Sequence, residues 1–191
     1  MDVGPDPRRF DDLPAEFPVF PLAGALLLPG GKLPLNIFEP RYIAMVEDAL
    51  AERRCIGMIQ PDAAHAEGES GPALYRIGCL GRLVSFSETE DGRYLITLAG
   101  VSRFEVVREL DMRRGYRRVR AGFSPFAVDL TEASNAKLND RMALLSALRS
   151  YFQAQGFGAN WDVIESMDDD ALVTTLAMVC PFGAAEKQSL L

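Results

Sequence analysis

Short apolar runs, interrupted by proline and glycine, fill the first part of the chain. The runs at 17–22, 25–28 and 32–38 are each too short for a helix and are separated by turn-forming residues, which predicts extended segments. Proline cannot donate a hydrogen bond to a β ladder. We therefore expect the 17–22 run, which contains two prolines, at a sheet edge or as an extended lead-in segment.

One helical pattern interrupts these strands. From Pro40 to Leu50, apolar residues recur every three or four positions, and proline suits a first helical turn. The strand pattern then resumes at 55–59, 75–88, 93–100, 103–110 and 116–123. Gly78 and Gly81 indicate a bulge or bend of the kind that closes barrels. The pattern predicts a mostly antiparallel sheet curled into a barrel or sandwich.

Beyond Pro125 the spacing becomes helical. An apolar stripe between Thr131 and Gly156 predicts one helix, with Leu138, Met142, Leu144, Leu145, Leu148, Tyr151 and Phe152 as its members. Asp162 and Asp168 lead two further helical patterns. The predicted organisation is a loose tail at 1–16, a β-rich subdomain at 17–126 and a helical subdomain at 127–191. The predicted fold class is α+β, with a small helical bundle after the sheet.

The charge of the chain disfavours nucleic acid as a partner. The formal net charge is -7 and the pI is about 4.8, so the overall field repels phosphates. The charge is uneven, however: residues 103–120 carry seven arginines against three acids, whereas residues 129–191 carry nine acids against four bases. We interpret the arginines as a solvated turn and strand face, with a partner-binding patch as the alternative.

The residues that catalysis requires are missing from the sequence pattern. There is no phosphate-binding Gly-x-x-x-x-Gly-Lys-Ser/Thr loop and no Gly-x-Ser-x-Gly elbow. The single histidine, His65, lies in a polar loop, and the usual zinc spacings do not occur. Asp168, Asp169 and Asp170 suit a helix N-terminus better than a hard-metal cluster. We expect no enzyme activity, no metal and no cofactor.

The cysteines and the N-terminus point to a cytoplasmic protein. Cys55, Cys79 and Cys180 cannot all pair, and free thiols fit a reducing compartment. The first residues carry acids and prolines where a secretory signal needs a basic start and an apolar core. No apolar stretch approaches the roughly 20 residues of a membrane span.

The junction between the 32–38 run and the predicted helix is the candidate binding site, formed by Phe38, Glu39, Arg41 and Tyr42. A structural interpretation is that Glu39 and Arg41 form an ion pair that locks the strand to the helix. A functional interpretation is that Phe38, Arg41 and Tyr42 form a peptide-binding surface, with apolar rings for contact and polar end groups for hydrogen bonds. If both rings are buried and the ion pair is formed, the junction is only scaffold.

Several motifs resemble those of a known family. They are Phe17-Pro18-Val19-Phe20-Pro21-Leu22, Leu27-Leu28-Pro29-Gly30, Leu33 through Tyr42, Ile56-Gly57-Met58-Ile59, Ile77-Gly78-Cys79-Leu80-Gly81 and Gly100-Val101-Ser102-Arg103-Phe104. In this order and spacing they are similar to the N-terminal, substrate-recognising domain of Lon proteases, and more narrowly to stand-alone bacterial proteins made of that domain. The resemblance runs from about Phe17 to the end of the chain.

The resemblance implies a PUA-like pseudo-barrel followed by a helical bundle. It also implies a binding module for polypeptide clients or protein partners, with the groove between barrel and helices as the natural site. The ATPase module and the Ser-Lys protease module of Lon have no counterpart in this chain. The alternative is a PUA-like protein that binds RNA or a small ligand through the arginines of 103–120. The client, the oligomeric state and any separate protease stay open. The family pattern continues as helix past Leu191, so a truncated C-terminus is one interpretation of the chain end.

Overall fold

A computed structural model describes residues 12–68, 70–131 and 137–191, which form six strands, five helices and one 3₁₀ segment. The strands are β1 (Glu16–Pro21), β2 (Lys32–Ile37), β3 (Cys55–Ile59), β4 (Ile77–Glu88), β5 (Tyr94–Arg113) and β6 (Tyr116–Gly122). The helices are α1 (Pro40–Ala51), α2 (Arg141–Gln155), α3 (Trp161–Ser166), α4 (Asp169–Val179) and α5 (Ala184–Gln188), and the 3₁₀ segment is Ser124–Leu130. Most of the predicted tail, residues 1–11, lies outside the described residues.

The six strands form one sheet that closes on itself. The strand order is β2-β5-β4-β3-β1-β6, and β5 pairs with β6 as well as with β4 and β2. All pairings are antiparallel except that of β1 with β3. The α+β class with a closed, mostly antiparallel sheet is therefore confirmed.

Strand β5 closes the barrel because it is long and bends. The sequence predicted two strands at 93–100 and 103–110, which was wrong, because the backbone continues through Val101 as an extra residue. Leu80 is opposite Ser102, and Gly81 is opposite Gly100, so the register shifts by one at this bulge. The bulge increases the local twist without ending the strand, and it falls beside a glycine predicted to mark a bend.

Strand β1 lies inside the sheet, between β3 and β6, so the prediction of an edge position was wrong. The N–H of Leu22 donates to the carbonyl of Ile59 in β3. Because successive backbone nitrogens of a strand alternate in direction, the even-numbered ones in β1 point toward β3 and the odd-numbered ones toward β6. The nitrogen of Pro18 points toward β3, but the pairing of β1 with β3 begins only at Val19. The nitrogen of Pro21 points toward β6, but the pairing of β1 with β6 has already ended at Val19. Each proline therefore occupies a position where no ladder hydrogen bond is needed.

Two hydrophobic clusters hold the barrel and α1 together. One cluster is inside the barrel and centres on Phe104, whose ring packs edge-on against Phe17 with centroids 5.0 Å apart. The other lies under α1, which buries the stripe of Met45, Val46 and Ala49. Burial of each large side chain contributes roughly 1.5–3 kcal/mol. This packing fixes the start of α1, and with it the junction that carries the candidate site.

The helical layer is thinner than its apolar stripes suggested. In α2 only Leu145 and Leu148 are buried, whereas Met142, predicted on the same stripe, is exposed. Asp168 accepts a hydrogen bond from the backbone N–H of Ala171, which confirms its interpretation as a helix cap. Residues 132–136, within the predicted start of the first helix, lie outside the described residues. No helix in the described part of the chain is long and apolar enough to cross a membrane.

The last helix is tied to the barrel by side-chain hydrogen bonds to backbone carbonyls. The ammonium of Lys187 donates to the carbonyl of Gly24 at 2.8 Å. Gln60, itself buried in the barrel, donates to the carbonyl of Ala184 at 3.0 Å and accepts from the N–H of Gly24. Because carbonyl groups buried without a partner are costly, these bonds favour one fixed position of α5.

Candidate functional site

The four residues of the predicted site do not form one surface. Phe38, between β2 and α1, is 63% exposed. Tyr42, one turn into α1, is buried, and its ring centroid lies 4.3 Å from that of Phe20 in the core. Burial raises the pKa of the Tyr42 hydroxyl above its ordinary value. The structure therefore separates one exposed ring from one core ring.

Glu39 and Arg41 form the ion pair considered from the sequence. The Nε atom of Arg41 donates to the Oε2 atom of Glu39 at 2.9 Å, and both side chains are about half-exposed. The Arg41 guanidinium carbon lies 4.5 Å from the centroid of the Tyr42 ring. An exposed pair of this kind contributes only about 0–1 kcal/mol to stability. The pair therefore positions two charged groups beside Phe38 more than it stabilises the fold.

A small cavity of about 120 Å³ opens beside this junction. Its lining includes Tyr42 and Tyr116 as well as Arg41 and Arg117. Its lining therefore combines aromatic and charged side chains. The exposed apolar group at the junction is Phe38 alone.

The arginines of 103–120 are largely neutralised. Six of the seven form ion pairs with carboxylates among the described residues: Arg103, Arg113, Arg114, Arg117, Arg118 and Arg120. Their partners include Glu47, Asp48 and Glu52 of α1, and Glu16 of β1. Because a phosphate backbone would compete with these carboxylates, the RNA-binding alternative is not favoured.

Asp48 joins α1 to the turn between β5 and β6. Its carboxylate accepts from the Tyr116 hydroxyl at 2.8 Å and from Arg114 at 3.0 Å. Although partial burial acts to raise the pKa of Asp48, these hydrogen bonds hold it below its ordinary value. Burial, together with the same carboxylate, raises the pKa of Tyr116 to about 12. The arginine-rich turn is thus a structural clamp.

His65 and the three cysteines are the candidate base and nucleophiles considered from the sequence. His65 is largely exposed, and its Nδ1 atom lies 2.8 Å from a carboxylate oxygen of Asp62. All three cysteines are free and buried. Burial raises the pKa of the Cys55, Cys79 and Cys180 thiols, which keeps them protonated and poorly nucleophilic. Among the described residues, no group of three or more His, Cys, Asp or Glu side chains could hold a metal ion.

The helical layer contains an apolar groove that sequence reasoning treated as core. We call it the aromatic groove, formed by residues of α2, α3 and α4 and of the loop at 156–160. Two open spaces, of about 420 Å³ and about 280 Å³, share Phe152, Val179 and Cys180 in their linings. The ring of Phe152 packs edge-on against Phe157 and Trp161, each at 5.8 Å between centroids. The concentration of aromatic residues within 151–161 was the available signal.

These features define the class of the protein as an α+β barrel domain that presents exposed apolar surface. A family model confirms and sharpens this: the model of the ATP-dependent protease La (LON) substrate-binding domain matches residues 16–191. The chain therefore belongs to the family of Lon substrate-binding domains, as the motifs indicated.

Curated relatives agree with this assignment. The Lon protease of Anaeromyxobacter dehalogenans (strain 2CP-C) and Lon protease 2 of Myxococcus xanthus are each 31% identical over 110 residues, which is 58% of this chain. The chain spans about 13% of the length of these relatives.

Two solved structures share the fold. They are a Lon N-terminal domain protein from Xanthomonas campestris, with a TM-score of 0.59 and 24% identity, and the N-terminal domain of a Mycobacterium avium complex Lon protease, with 0.58 and 17%. Each likeness covers 92% of this chain and 88% of the other.

Proposed function

We propose that the protein is a non-catalytic, cytoplasmic recognition module that binds exposed apolar segments of polypeptides. Membership of a family of substrate-binding domains supports this class of ligand. The observation that carries the proposal is Phe38, a large ring left 63% exposed at the junction between β2 and α1. Its contact with a ligand would recover a hydrophobic free energy of roughly 1.5–3 kcal/mol.

The neighbourhood of Phe38 suits an extended segment. Strand β2 pairs with β5 alone among the described strands, so its other edge is open to an added strand. Asn36 of β2 is opposite the exposed Leu95 of β5, and Phe38 is the next residue but one along the chain. We infer that a client lies along β2, with an apolar side chain against Phe38.

Glu39 and Arg41 have a polar role in this arrangement. Their side chains are about half-exposed and joined at 2.9 Å, so each retains free hydrogen-bonding positions for a backbone. Tyr42 does not contact the ligand. Its buried ring supports the Arg41 guanidinium from below, at 4.5 Å, and therefore positions the polar rim.

A binding assay with a permanently unfolded polypeptide tests the proposal. We expect fluorescently labelled, reduced and carboxymethylated lactalbumin to bind the full chain, and Phe38→Ser to weaken that binding about tenfold. Val107→Ser is the matched control, because Val107 is similarly exposed, at 65%, on β5. The labelled polypeptide stays intact on incubation, as gel electrophoresis will show.

Three results would count against the proposal. Equal affinities of the Phe38→Ser and Val107→Ser proteins would remove Phe38 from the site. If the unmodified chain does not bind the unfolded polypeptide, the proposal that it binds exposed apolar segments is refuted. Fragments of the labelled polypeptide, formed by the chain but not in its absence, would contradict the non-catalytic assignment.

A further inference from the structure

We propose that the aromatic groove is a second polypeptide site, which takes an apolar segment flanked by lysine or arginine. This inference rests on the proposed function for the kind of ligand, but on different residues. Val179, at the junction of the two spaces, is 67% exposed, and Phe157 is exposed beside it. Apolar side chains concentrated in an open concavity mark an interaction surface.

The groove is shaped to receive side chains. Phe152 lines both spaces, and Leu172 and Leu176 of α4 line the smaller one. The larger space, about 420 Å³, lies within the range found for ligand sites, and the smaller, about 280 Å³, lies near its lower limit. Two neighbouring apolar side chains of one segment would fill them, one in each space.

One end of the groove is acidic. Five acids lie at the corner between α3 and α4, namely Asp162, Glu165, Asp168, Asp169 and Asp170. Two arginines partly offset them, because Arg141 pairs with Asp169 and Arg149 with Glu165. The positive charge of Lys137 also acts on Asp169, so two net negative charges are left at this corner. Among the described residues, the remaining three carboxylates have no basic partner.

These acids belong to the elements that line the groove. Asp162 immediately precedes Val163, which lines the smaller space, and Asp168 lies one helical turn before Leu172. Trp161 stacks under the guanidinium of Arg149 at 4.4 Å, which fixes the start of α3 beside the groove. A positive charge next to a bound apolar segment would therefore meet these carboxylates at short range.

The charge selects this occupant over the alternatives. A second copy of the chain would bring a net charge of -7 and the same acidic corner to the interface, which opposes self-association through this face. Phosphate-bearing ligands are opposed by the same charge. An apolar segment with basic flanks would pack against the apolar lining and pair with the acidic corner.

Two labelled peptides that share an apolar centre, one with lysine flanks and one with glutamate flanks, test this inference by fluorescence anisotropy. We expect the lysine peptide to bind the full chain about tenfold more tightly at about 50 mM salt, and the preference to shrink severalfold at about 0.5 M salt. Val179→Ser should weaken the lysine peptide about tenfold, whereas Val107→Ser, at a matched exposed valine, should not. The pair Asp162→Asn and Asp170→Asn should reduce the preference for lysine without unfolding the chain, since both side chains are exposed.

The outcomes separate this inference from the proposed function. If Phe38→Ser weakens both peptides and Val179→Ser weakens neither, the groove is not a site and the proposed function stands. Equal affinities of the two peptides would refute the preference for basic flanks. A dimer of the unmodified chain in sedimentation, dissociated by Val179→Ser, would make a second copy the occupant. Failure of every peptide and of unfolded lactalbumin to bind would overturn both proposals.

Discussion

Arg103 holds three parts of the molecule together, and its replacement tests the packing described here. Its guanidinium donates to both carboxylate oxygens of Asp129, at 2.7 and 3.0 Å, and to the backbone oxygen of Leu191 at 3.0 Å. It also stacks 4.9 Å from the ring of Phe126. Arg103 therefore joins β5 to the 3₁₀ segment and to the end of the chain.

The expected loss of unfolding free energy in Arg103→Met follows from the burial of Asp129. The side chain of Asp129 is only 7% exposed and that of Arg103 is 29% exposed. Arg103→Met leaves the Asp129 carboxylate with one backbone hydrogen bond, from the N–H of residue 103. Removal of one partner of a mostly buried pair costs about 3 kcal/mol. With a urea m value of about 2 kcal/mol per M, the unfolding midpoint should fall by about 1.5 M.

A double variant separates the ion pair from general damage. Arg103→Met with Asp129→Leu replaces both charges by apolar groups and should cost only about 1 kcal/mol. Circular dichroism in urea measures the unfolding of Arg103→Met, of Asp129→Leu and of the double variant. A single Arg103→Met variant that loses less than about 1 kcal/mol, or a double variant that loses the sum of the two single changes, would refute this reasoning.

Three further predictions concern the barrel and its turns. Gly78→Ala would place a Cβ atom 2.5 Å from a backbone carbonyl oxygen of β3, so we expect a loss of at least about 2 kcal/mol by urea unfolding, against about 0.5 kcal/mol for Gly158→Ala in open space. Hydrogen bonds from Arg93 and Thr89 lower the pKa of Asp91 to about 2, so its NMR titration should have a midpoint near that value. The midpoint should rise in Arg93→Ala, which keeps the Thr89 hydrogen bond. The stabilising effect of this pair is present above about pH 4 and lost as the pH falls toward 2. Cys79 is buried with a raised thiol pKa, so a thiol reagent should label it only in denaturant; rapid labelling of the native protein would contradict the closed barrel.

The sequence predicted local structure better than it predicted strand neighbours. The spacing after Pro40 identified α1, and Gly81 lies at the observed bulge, since both signals depend on residues close in the chain. The position of β1 depends on partners far along the chain, so the prolines at 18 and 21 alone suggested an edge. The two prolines fit inside the sheet because of where the pairings of β1 with β3 and with β6 start and stop. No local pattern contains that information.

The candidate site shows the same division. The motif around Phe38 marked the right junction, but Phe38 and Tyr42 were equivalent by residue type. Only the direction of the first turn of α1 decides that the Tyr42 ring enters the core while Phe38 does not. The aromatic groove was missed because apolar residues at helical spacing predict burial, and the helical layer is too thin to bury both faces of α2 and α4.

The pairing of β1 with β6 determines when the molecule can fold during its synthesis. Glu16 and Arg120 are neighbours in the sheet but 104 residues apart in the chain. At about 5–20 residues per second, a ribosome needs roughly 5–20 s to make the intervening segment. During that interval β1, and later β3, lack the strand that completes the barrel. Slower translation between β3 and β6 would therefore lengthen the time for which the barrel stays open.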